Sequence, residues 1–255
     1  MNGLIGIVMS SFNRGELTKR TLDSIVGQND TNYVVVVIDE EPTPLIYDNE
    51  HVIILESIKG DRVWRNATAQ QNQAMLKCIE LGCECIIMQN AEAYHAGAIL
   101  SFVRWNLKED DYISFPCASQ KEAGDMNSDI AKWTIENQIP EIGADGGWYN
   151  HKHKHPSFLD FCVATSTANW KKLNGHDERF ADKIWYNDNN LVSRVYAMGL
   201  NMYIPESPCV IHQWHTRSYQ SMDTLKESFD LFNQTLIENT YRAKHIYTKD
   251  LDSNG

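Results

Sequence analysis

The stretch GLIGIVMSSFNRGELTKRTLDSIVGQNDTNYVVVVID, residues 3–39, carries the pattern that decides the fold. Residues 3–9 form an apolar run of strand length, and after the polar turn that follows, Leu22 and Ile25 recur with helical spacing. Residues 33–38 are mostly β-branched and show no alternation of apolar and polar side chains. Such a run is typical of a strand buried on both faces, as in parallel sheets. The stretch therefore predicts a β-α-β unit.

The same kind of pattern continues further along the chain. Residues 51–55 and 85–88 have the composition of strands, and residues 66–81 that of a helix that Gly82 terminates. We expect another helix shortly afterwards and then a strand over residues 112–115. This order predicts an α/β fold with a mostly parallel open sheet and helices on both of its faces.

The chain changes character after residue 115. Residues 119–157 are polar and contain several glycines, which is typical of a long loop or a small subdomain. Beyond them the sequence predicts, in order, a strand over 158–164, a helix over 191–198, short strands over 202–204 and 209–211, and an amphipathic helix over 222–236.

The composition is that of a globular protein with an acidic balance. Of the 255 residues, 42% are hydrophobic. The chain has 23 Lys and Arg residues and 34 Asp and Glu residues, so its net charge is −11. This charge argues against stable nucleic-acid binding, which needs a basic face. The apolar runs have only strand length, so we expect no membrane span, no secretory signal peptide, and a soluble, cytoplasmic protein. The six cysteines show no C-x-x-C spacing, and we expect buried, reduced thiols.

Polar side chains follow three of the predicted strands. Residues 10–14 follow the first strand, residues 39–41 the second, and residues 89–92 the fourth. Each cluster alone is only a weak indication of a binding site, because every strand must end in a polar turn. Ligands of open parallel sheets bind outside the carboxyl ends of the strands, so the three clusters together predict a polar crevice.

The order of these motifs resembles that of family 2 glycosyltransferases of GT-A fold. Residues 5–25 resemble the opening strand, P-T-Y-N-R turn and helix of the family, with Ser10 and Ser11 in place of Pro-Thr. The remaining matches, in chain order, are VVVID at 35–39, WRNATAQQN at 64–72, IIMQNAE at 86–92 in the place of D-x-D, GHDERF at 175–180, and Asn187-Asp188 followed by Arg194 and Gly199. The resemblance runs from about residue 4 to residue 217.

The resemblance implies a single GT-A domain over residues 1–255. Its parts would be a nucleotide-sugar-binding half over 1–115, an acceptor-binding and catalytic half over 116–220, and a C-terminal amphipathic helix over 221–245. The implied activity is transfer of a sugar, with inversion, from a nucleotide-diphosphate sugar to an acceptor hydroxyl, with a UDP-sugar as the favoured donor. Surface-glycan assembly is the commonest task of the family. Modification of a viral or phage component in an infected host cell is conceivable.

The resemblance also assigns donor-binding residues. Ser11, Asp39 and Arg65 would hold the nucleoside, because a carboxylate can accept from a base imide and an arginine can stack on the ring or reach phosphate. Asn90 would bind the donor, and Glu92 is the one carboxylate left in the D-x-D position.

A metal ligand is expected beyond the late strand. Members of related GT-A families carry a metal-binding histidine there, and His215 fits that place better than His212, for which a structural role is the alternative. Carboxylate together with imidazole favours Mn²⁺ over Mg²⁺.

Asp188 is the candidate base, since inversion needs a carboxylate to take the acceptor's proton. An Asp before a helix is equally typical of an N-cap, and the residues alone leave both open. Trp148 and Tyr149 are candidates for acceptor binding, with core packing as the alternative. The alternating histidines and lysines of residues 151–155 are typical of a solvated loop, with a phosphate or adventitious metal site as the alternative.

Two other functions share this sequence pattern. A nucleotidyltransferase has a similar nucleotide-binding layout, but it usually carries a glycine-rich basic loop after its first strand, and here only Arg14 and Gly15 stand there. A non-catalytic protein that binds sugar nucleotides or glycans would explain the weakened D-x-D motif. Retention of both Asp188 and His215 counts against this second alternative.

Overall fold

A computed structural model of the chain describes residues 2–139, 145–216 and 222–253. The strands are β1 Ile5–Ser11, β2 Tyr33–Asp39, β3 Val52–Glu56, β4 Cys85–Gln89, β5 Ala93–Ala96, β6 Asp111–Ser114, β7 Cys117–Ser119, β8 Trp148–Asn150, β9 Cys162–Ser166, β10 Asn201–Tyr203 and β11 Cys209–His212. The helices are α1 Gly15–Val26, α2 Thr68–Glu80, α3 Ile99–Asn106, α4 Ser128–Glu136, α5 Thr167–Leu173, α6 Asn187–Met198 and α7 Leu225–Glu238. Short 3₁₀ turns span Glu178–Phe180 and Met222–Thr224.

Seven of the described strands form the main sheet, in the order β10-β6-β9-β4-β1-β2-β3. Its neighbouring strands run parallel except β9, which is antiparallel to both β4 and β6. Ile5 pairs with Tyr33 and Ser11 with Asp39, so β1 and β2 end at the same level. The predicted mostly parallel α/β sheet is confirmed.

Helices cover both faces of this sheet because its central strands are apolar on both sides. Ile7 and Val35 belong to a core layer that includes side chains of α1 and α3. Val8 and Val36, one residue further along each strand, belong to a second layer with α2, α5 and α6. Successive side chains of a strand point to opposite faces, which is why the runs predicted from residues 3–39 show no polar alternation.

A second sheet of four described strands, in the order β5-β11-β7-β8, was not predicted. The region 119–157, predicted as a loop or small subdomain, contributes α4 and β8, and Trp148 packs there with Ala118 and Ile211. These strands have three or four residues each. Runs that short are too brief to show a period in the sequence.

Element bounds differ from the sequence expectation at two places that matter for the site. The strand predicted over 158–164 is wrong in position, since β9 spans Cys162–Ser166. Phe158 has a positive φ of 58°, and Asn150 accepts hydrogen bonds from the backbone N–H groups of Ser157 and Phe158. These contacts hold the preceding segment in an irregular turn. Helix α6 begins at Asn187, one turn earlier than predicted.

Two further expectations concern the thiols and the helices. All six cysteines are free and buried in the structure, as the sequence predicted. Within the described ranges, no helix combines the length and the apolar character that crossing a membrane requires.

Candidate active site

A crevice of about 1010 Å³ opens at the carboxyl ends of β1 and β4. The turn after β1 supplies Phe12, Asn13 and Arg14, and the turn after β4 supplies Asn90. Its other walls come from the start of α2, from β8, from the segment before β9, from the start of α6 and from the end of β11. Their lining residues are Arg65, Asn66, Ala67, Gln71, Tyr149, Asp160, Phe161, Ile184, Trp185, Asn187, Asp188, His212, His215 and Thr216. The predicted polar crevice therefore exists where the strand ends converge.

Glu92, His212 and His215 form a compact cluster at one end of this crevice. The His212 and His215 Nε2 atoms lie 3.3 and 3.4 Å from Oε1 of Glu92. One ligand atom from each residue can be chosen so that all three lie within 4.8 Å of one another. One carboxylate and two imidazoles are a donor set that suits Mn²⁺ and other transition metals.

The Glu92 carboxylate is ionised in spite of its burial. Burial raises its pKa, but hydrogen bonds with His212 and His215 and the charge of Arg14 outweigh this effect, and the pKa lies well below its ordinary value. Arg14 Nε is 3.9 Å from Glu92 Oε2, and Arg14 Nη2 is 3.5 Å from His215 Nε2. A cation and the cluster thus share one small volume, which suits an anionic ligand such as a diphosphate.

Asp188 lies in the first turn of α6 and does not cap it. The capping position is Tyr186, and no side chain of the described residues bonds the helix end there. The Asp188 carboxylate accepts a hydrogen bond from Asn187 Nδ2, and Asp160 lines the same crevice. Burial raises the pKa of Asp188 above its ordinary value, against the opposing effect of hydrogen bonding.

Asp160 lies beside Asp188 and was not singled out in the sequence. It is only 5% exposed, and its Oδ2 is 3.5 Å from Nε2 of the buried His176. Burial and the neighbouring Asp188 raise the pKa of Asp160 well above its ordinary value. No local sequence signal identifies Asp160, because only the folded chain brings the segment before β9 to the same crevice as the start of α6.

Trp185 and Tyr186 precede the helix with an unusual backbone. Both have φ of 60°, in the left-handed region that non-glycine residues seldom adopt. The Tyr186 ring packs on Phe232 with centroids 5.6 Å apart, and Ser228 Oγ donates to the Trp185 carbonyl at 2.8 Å. Helix α7 thus supports the segment while Trp185, 59% exposed, borders the crevice.

The structure brings most of the sequence-predicted site residues to this crevice. Arg65, Asn90, Tyr149, Asp188 and His215 line it, and Glu92 contacts His215. Arg65 donates to both carboxylate oxygens of Asp223 at 2.6 and 3.3 Å. Their roles toward a ligand remain predictions.

Ser11 is not among the lining residues. Its side chain is fully buried, and its hydroxyl lies 2.7 Å from Thr18 Oγ1 and donates to Glu41 Oε1 at 2.6 Å. Direct contact of the Ser11 side chain with a nucleoside does not agree with this burial. Glu41 Oε1 also accepts from the Arg14 backbone N–H, so the Ser11 network supports the turn that carries Arg14.

Asp39 and Trp148 also have other surroundings than expected. Asp39 accepts from the backbone N–H groups of Glu41 and Leu45, which orders the loop after β2, and its reading of a base stays a prediction. Trp148 is 6% exposed in the core of the small sheet. Neighbours on a strand point to opposite faces, so Tyr149 borders the crevice and the packing alternative holds for Trp148.

Solved structures with a similar fold include glycosyltransferases. S. aureus TarS in complex with UDP-GlcNAc matches with a TM-score of 0.62 and 11% identity over 91% of this chain and 66% of that one. Mannosyltransferase PcManGT from Pyrobaculum calidifontis, in complex with GDP-Man and Mn²⁺, matches with a TM-score of 0.55 and 14% identity. The match covers 90% of this chain and 64% of that one. The catalytic domain of Drosophila β1,4-galactosyltransferase 7, in complex with xylobiose, matches with a TM-score of 0.57 and 10% identity. The match covers 98% of this chain and 84% of that one.

These similarities concern the fold. This chain spans slightly less than two thirds of the TarS and PcManGT chains, 66% and 64% respectively. No protein-family model matches the sequence, and no curated protein matches it. At identities of 10 to 14% the shared property is the architecture, and the chain has the GT-A fold of these glycosyltransferases.

Proposed function

We propose that this protein is an inverting glycosyltransferase of the family 2 type that transfers a sugar from a nucleotide-diphosphate sugar to an acceptor hydroxyl. One observation carries the proposal. A cluster suited to a metal (Glu92, His212 and His215) and a carboxylate suited to act as a base (Asp188) border the same crevice of a GT-A fold. That pairing fits transfer from a donor with an anionic leaving group.

The base would be Asp188. Its carboxylate is partly buried at the crevice wall and ionisable, and burial raises its pKa toward the working range of a general base. Asp188 would take the proton of the acceptor hydroxyl as the oxygen attacks the anomeric carbon. Asn187 Nδ2 donates to Asp188 and its Oδ1 accepts from Asn66 Nδ2 at 2.7 Å, so Asn66 orients Asn187 and, through it, the carboxylate.

The donor set fits a divalent metal. Glu92, His212 and His215 would hold it, and the two imidazoles favour Mn²⁺ over Mg²⁺. When bound, such a metal supplies positive charge that stabilises the departing nucleoside diphosphate. Arg14 lies beside this cluster and would bind the same diphosphate oxygens with its guanidinium.

The remaining lining residues divide between donor and acceptor. Arg65 and Asn90 would contact the donor, since both line the crevice. Tyr149 and Trp185 would contact the acceptor, because aromatic faces suit the C–H faces of a sugar ring. The similar TarS and PcManGT structures contain UDP-GlcNAc and GDP-Man, so both bases are candidates, and we favour a UDP-sugar as the donor.

The decisive experiment is a binding screen followed by product analysis. UDP, GDP, CDP and dTDP are tested by thermal shift with and without Mn²⁺. A ligand at about 100 times its dissociation constant should add about 2.7 kcal/mol to the free energy of unfolding. The preferred nucleotide is then supplied as its sugar, and the released product is identified. A nucleoside diphosphate supports transfer, whereas release of pyrophosphate from a sugar phosphate and a nucleoside triphosphate points to a nucleotidyltransferase. Absence of any shift contradicts the crevice assignment.

A further inference from the structure

Gln71 on α2 is a buried polar residue to which the proposed reaction gives no role. It lines the crevice and is only 5% exposed, so it belongs to the floor of the crevice and not to its rim. Its backbone N–H donates to the carbonyl of Ala67, the capping residue of α2, at 2.8 Å. Residues four apart lie on one face of a helix, and Ala67 and Gln71 border the crevice together.

The side-chain oxygen of Gln71 has nothing to bond to. Its Oε1 is buried and has no hydrogen-bond partner among the described residues. A buried carbonyl oxygen without a donor destabilises a folded protein, so each such group needs a specific explanation. Because this one borders the crevice, a ligand that donates a hydrogen bond explains it.

Two other glutamines of α2 have different surroundings. Gln73 donates through Nε2 to the Glu56 carbonyl at 2.8 Å, and its Oε1 accepts from the Ile58 N–H at 3.1 Å. Gln70 also has a buried Oε1 without a partner in the described part of the chain, but its Nε2 donates to Glu40 at 2.8 Å, and Gln70 is not among the residues that line the crevice. Of these three, Gln71 alone combines an unpartnered amide oxygen with a place in the crevice.

The chemistry of the Gln71 amide selects the kind of group it binds. An amide oxygen accepts hydrogen bonds and needs an O–H or N–H group, whereas the ionised diphosphate of the proposed donor offers only acceptors. Sugar hydroxyl groups both donate and accept. The amides of Asn66, Asn90 and Asn187 line the same crevice and match hydroxyl groups in the same way.

The position of Gln71 favours the transferred sugar over the nucleoside. Asn66, just before α2, donates through Nδ2 to Oδ1 of Asn187 at 2.7 Å, and Asn187 donates to Asp188. The beginning of α2 therefore lies against the segment that carries the proposed base. The anomeric carbon must come close to that base, because the acceptor oxygen contacts both. A sugar ring in this place would border the helix face that Ala67 and Gln71 form.

We propose that Gln71 is a specificity-determining residue whose amide binds a hydroxyl group of the transferred sugar. The inference rests on the proposed function, in which the donor is a nucleotide-diphosphate sugar. Oε1 accepts from the hydroxyl group, and the hydroxyl oxygen accepts from Nε2. A donor without a hydroxyl group at this point leaves a buried amide unpaired and is bound more weakly.

Gln71→Met is the test variant, since it keeps the length of the side chain and removes its amide. Calorimetric titrations with Mn²⁺ present compare UDP and GDP with UDP-glucose, UDP-galactose, UDP-N-acetylglucosamine and GDP-mannose. We expect the parent to bind at least one of the nucleotide sugars more tightly than its nucleoside diphosphate. Gln71→Met should bind that nucleotide sugar about fivefold more weakly and the nucleoside diphosphate as tightly as the parent does.

The stability of the ligand-free variant gives a second readout that a merely structural role would not produce. Methionine removes a buried polar atom that has no partner, so the thermal midpoint of Gln71→Met should rise by about 2–4 °C. Gln73→Met is the matched control on the same helix. It breaks two hydrogen bonds, so it should lower the midpoint and leave the affinity for nucleotide sugars unchanged.

Three results would overturn the inference. The first is equal affinity of the parent and Gln71→Met for every nucleotide sugar. The second is an equal loss of affinity for the nucleoside diphosphate, which would place Gln71 at the nucleotide. The third is a lowered midpoint of Gln71→Met, which would show a structural role.

The same titrations distinguish this inference from the proposed function. If the parent binds UDP or GDP and no attached sugar adds affinity, the role of Gln71 is contradicted while the nucleotide site stands. If the parent binds none of these ligands, the proposed function fails, and the role of Gln71 fails with it.

Discussion

Nε2 of His212 lies 3.3 Å from Oε1 of Glu92, and the pairing of two strands produces this contact. Strand β11 runs antiparallel to β5 with His212 opposite Ala93, the residue that follows Glu92. The Gln213 backbone N–H also donates to the Glu92 carbonyl at 3.1 Å. Backbone hydrogen bonds therefore hold His212 beside Glu92.

We expect His212→Ala and His215→Ala each to weaken Mn²⁺-dependent UDP binding at least about tenfold while the apo protein keeps its thermal midpoint. Each loses one of three clustered donors, and both side chains are at the crevice surface. Calorimetric titration with UDP, with and without Mn²⁺, measures the effect. His153→Ala is the control, because His153 is exposed and bonded to Glu206. Loss in only one of the two variants would reduce the metal set to a single histidine.

Asp188→Asn should lower the transfer rate about 10²- to 10⁴-fold and leave donor affinity unchanged. An amide cannot accept the acceptor's proton. The helix should not be destabilised, since Tyr186 and not Asp188 occupies its capping position. Transfer rate, donor affinity and thermal midpoint are measured on one preparation, with the exposed Asp182→Asn as control. A rate within threefold of the parent would exclude Asp188 as the base.

Trp185→Gly should raise the KM for the acceptor about fivefold, corresponding to roughly 1 kcal/mol of lost ring contact, with a smaller effect on kcat. Glycine tolerates a φ of 60° without strain, so the substitution removes the ring and should not destabilise the protein. Steady-state kinetics with varied acceptor measure the change. Trp105→Ala, which removes an 80% exposed ring outside the crevice, is the matched control. An unchanged acceptor KM would remove Trp185 from the acceptor site.

Trp148→Ala should lower the free energy of unfolding by about 3–5 kcal/mol, because it empties a buried site in the small-sheet core. Chemical denaturation measures this loss. Tyr149→Phe serves as comparison, since it keeps the ring that stacks on Phe161 at 5.1 Å. A stable Trp148→Ala variant with a raised acceptor KM would restore the acceptor role first expected for Trp148.

Stability should decrease as pH falls from 6.5 toward 3, in part because of His95. Burial lowers the pKa of this side chain to about 3, whereas an unfolded histidine titrates near 6.5. The unfolded state therefore binds the extra proton first, and stability that is present above pH 6.5 is lost by about 1.4 kcal/mol per pH unit below it.

The His95 prediction is checked by denaturation at several pH values. His95 Nδ1 accepts from Gln28 Nε2 at 2.8 Å and its Nε2 donates to Gln89 at 2.6 Å, because Gln28 Oε1 already accepts from the Leu100 N–H. Charging Nδ1 would break the first bond. His95→Gln should flatten the pH dependence between 6.5 and 4. An unaltered slope would assign the acid sensitivity to other groups.

The sequence alone determined the sheet and the general place of the site. Residues 33–38 are apolar at every position, so only a strand that is covered on both faces buries all of their side chains. The carboxyl ends of such parallel strands meet at one edge, which is why Arg14, Asn90 and Glu92 were predicted to converge and do lie together.

Tertiary structure alone decided which polar groups face the crevice. Ser11 follows the predicted strand as expected, but the register places its hydroxyl under Thr18 and Glu41. The strands of the small sheet are too short to show a period in the sequence. This sheet places His212 beside Glu92 and buries Trp148 in its core. Asp160 lines the same crevice as Asp188 because the fold brings the segment before β9 and the start of α6 to one place. Contacts of this kind depend on register and on pairing between distant segments, and no local sequence pattern encodes them.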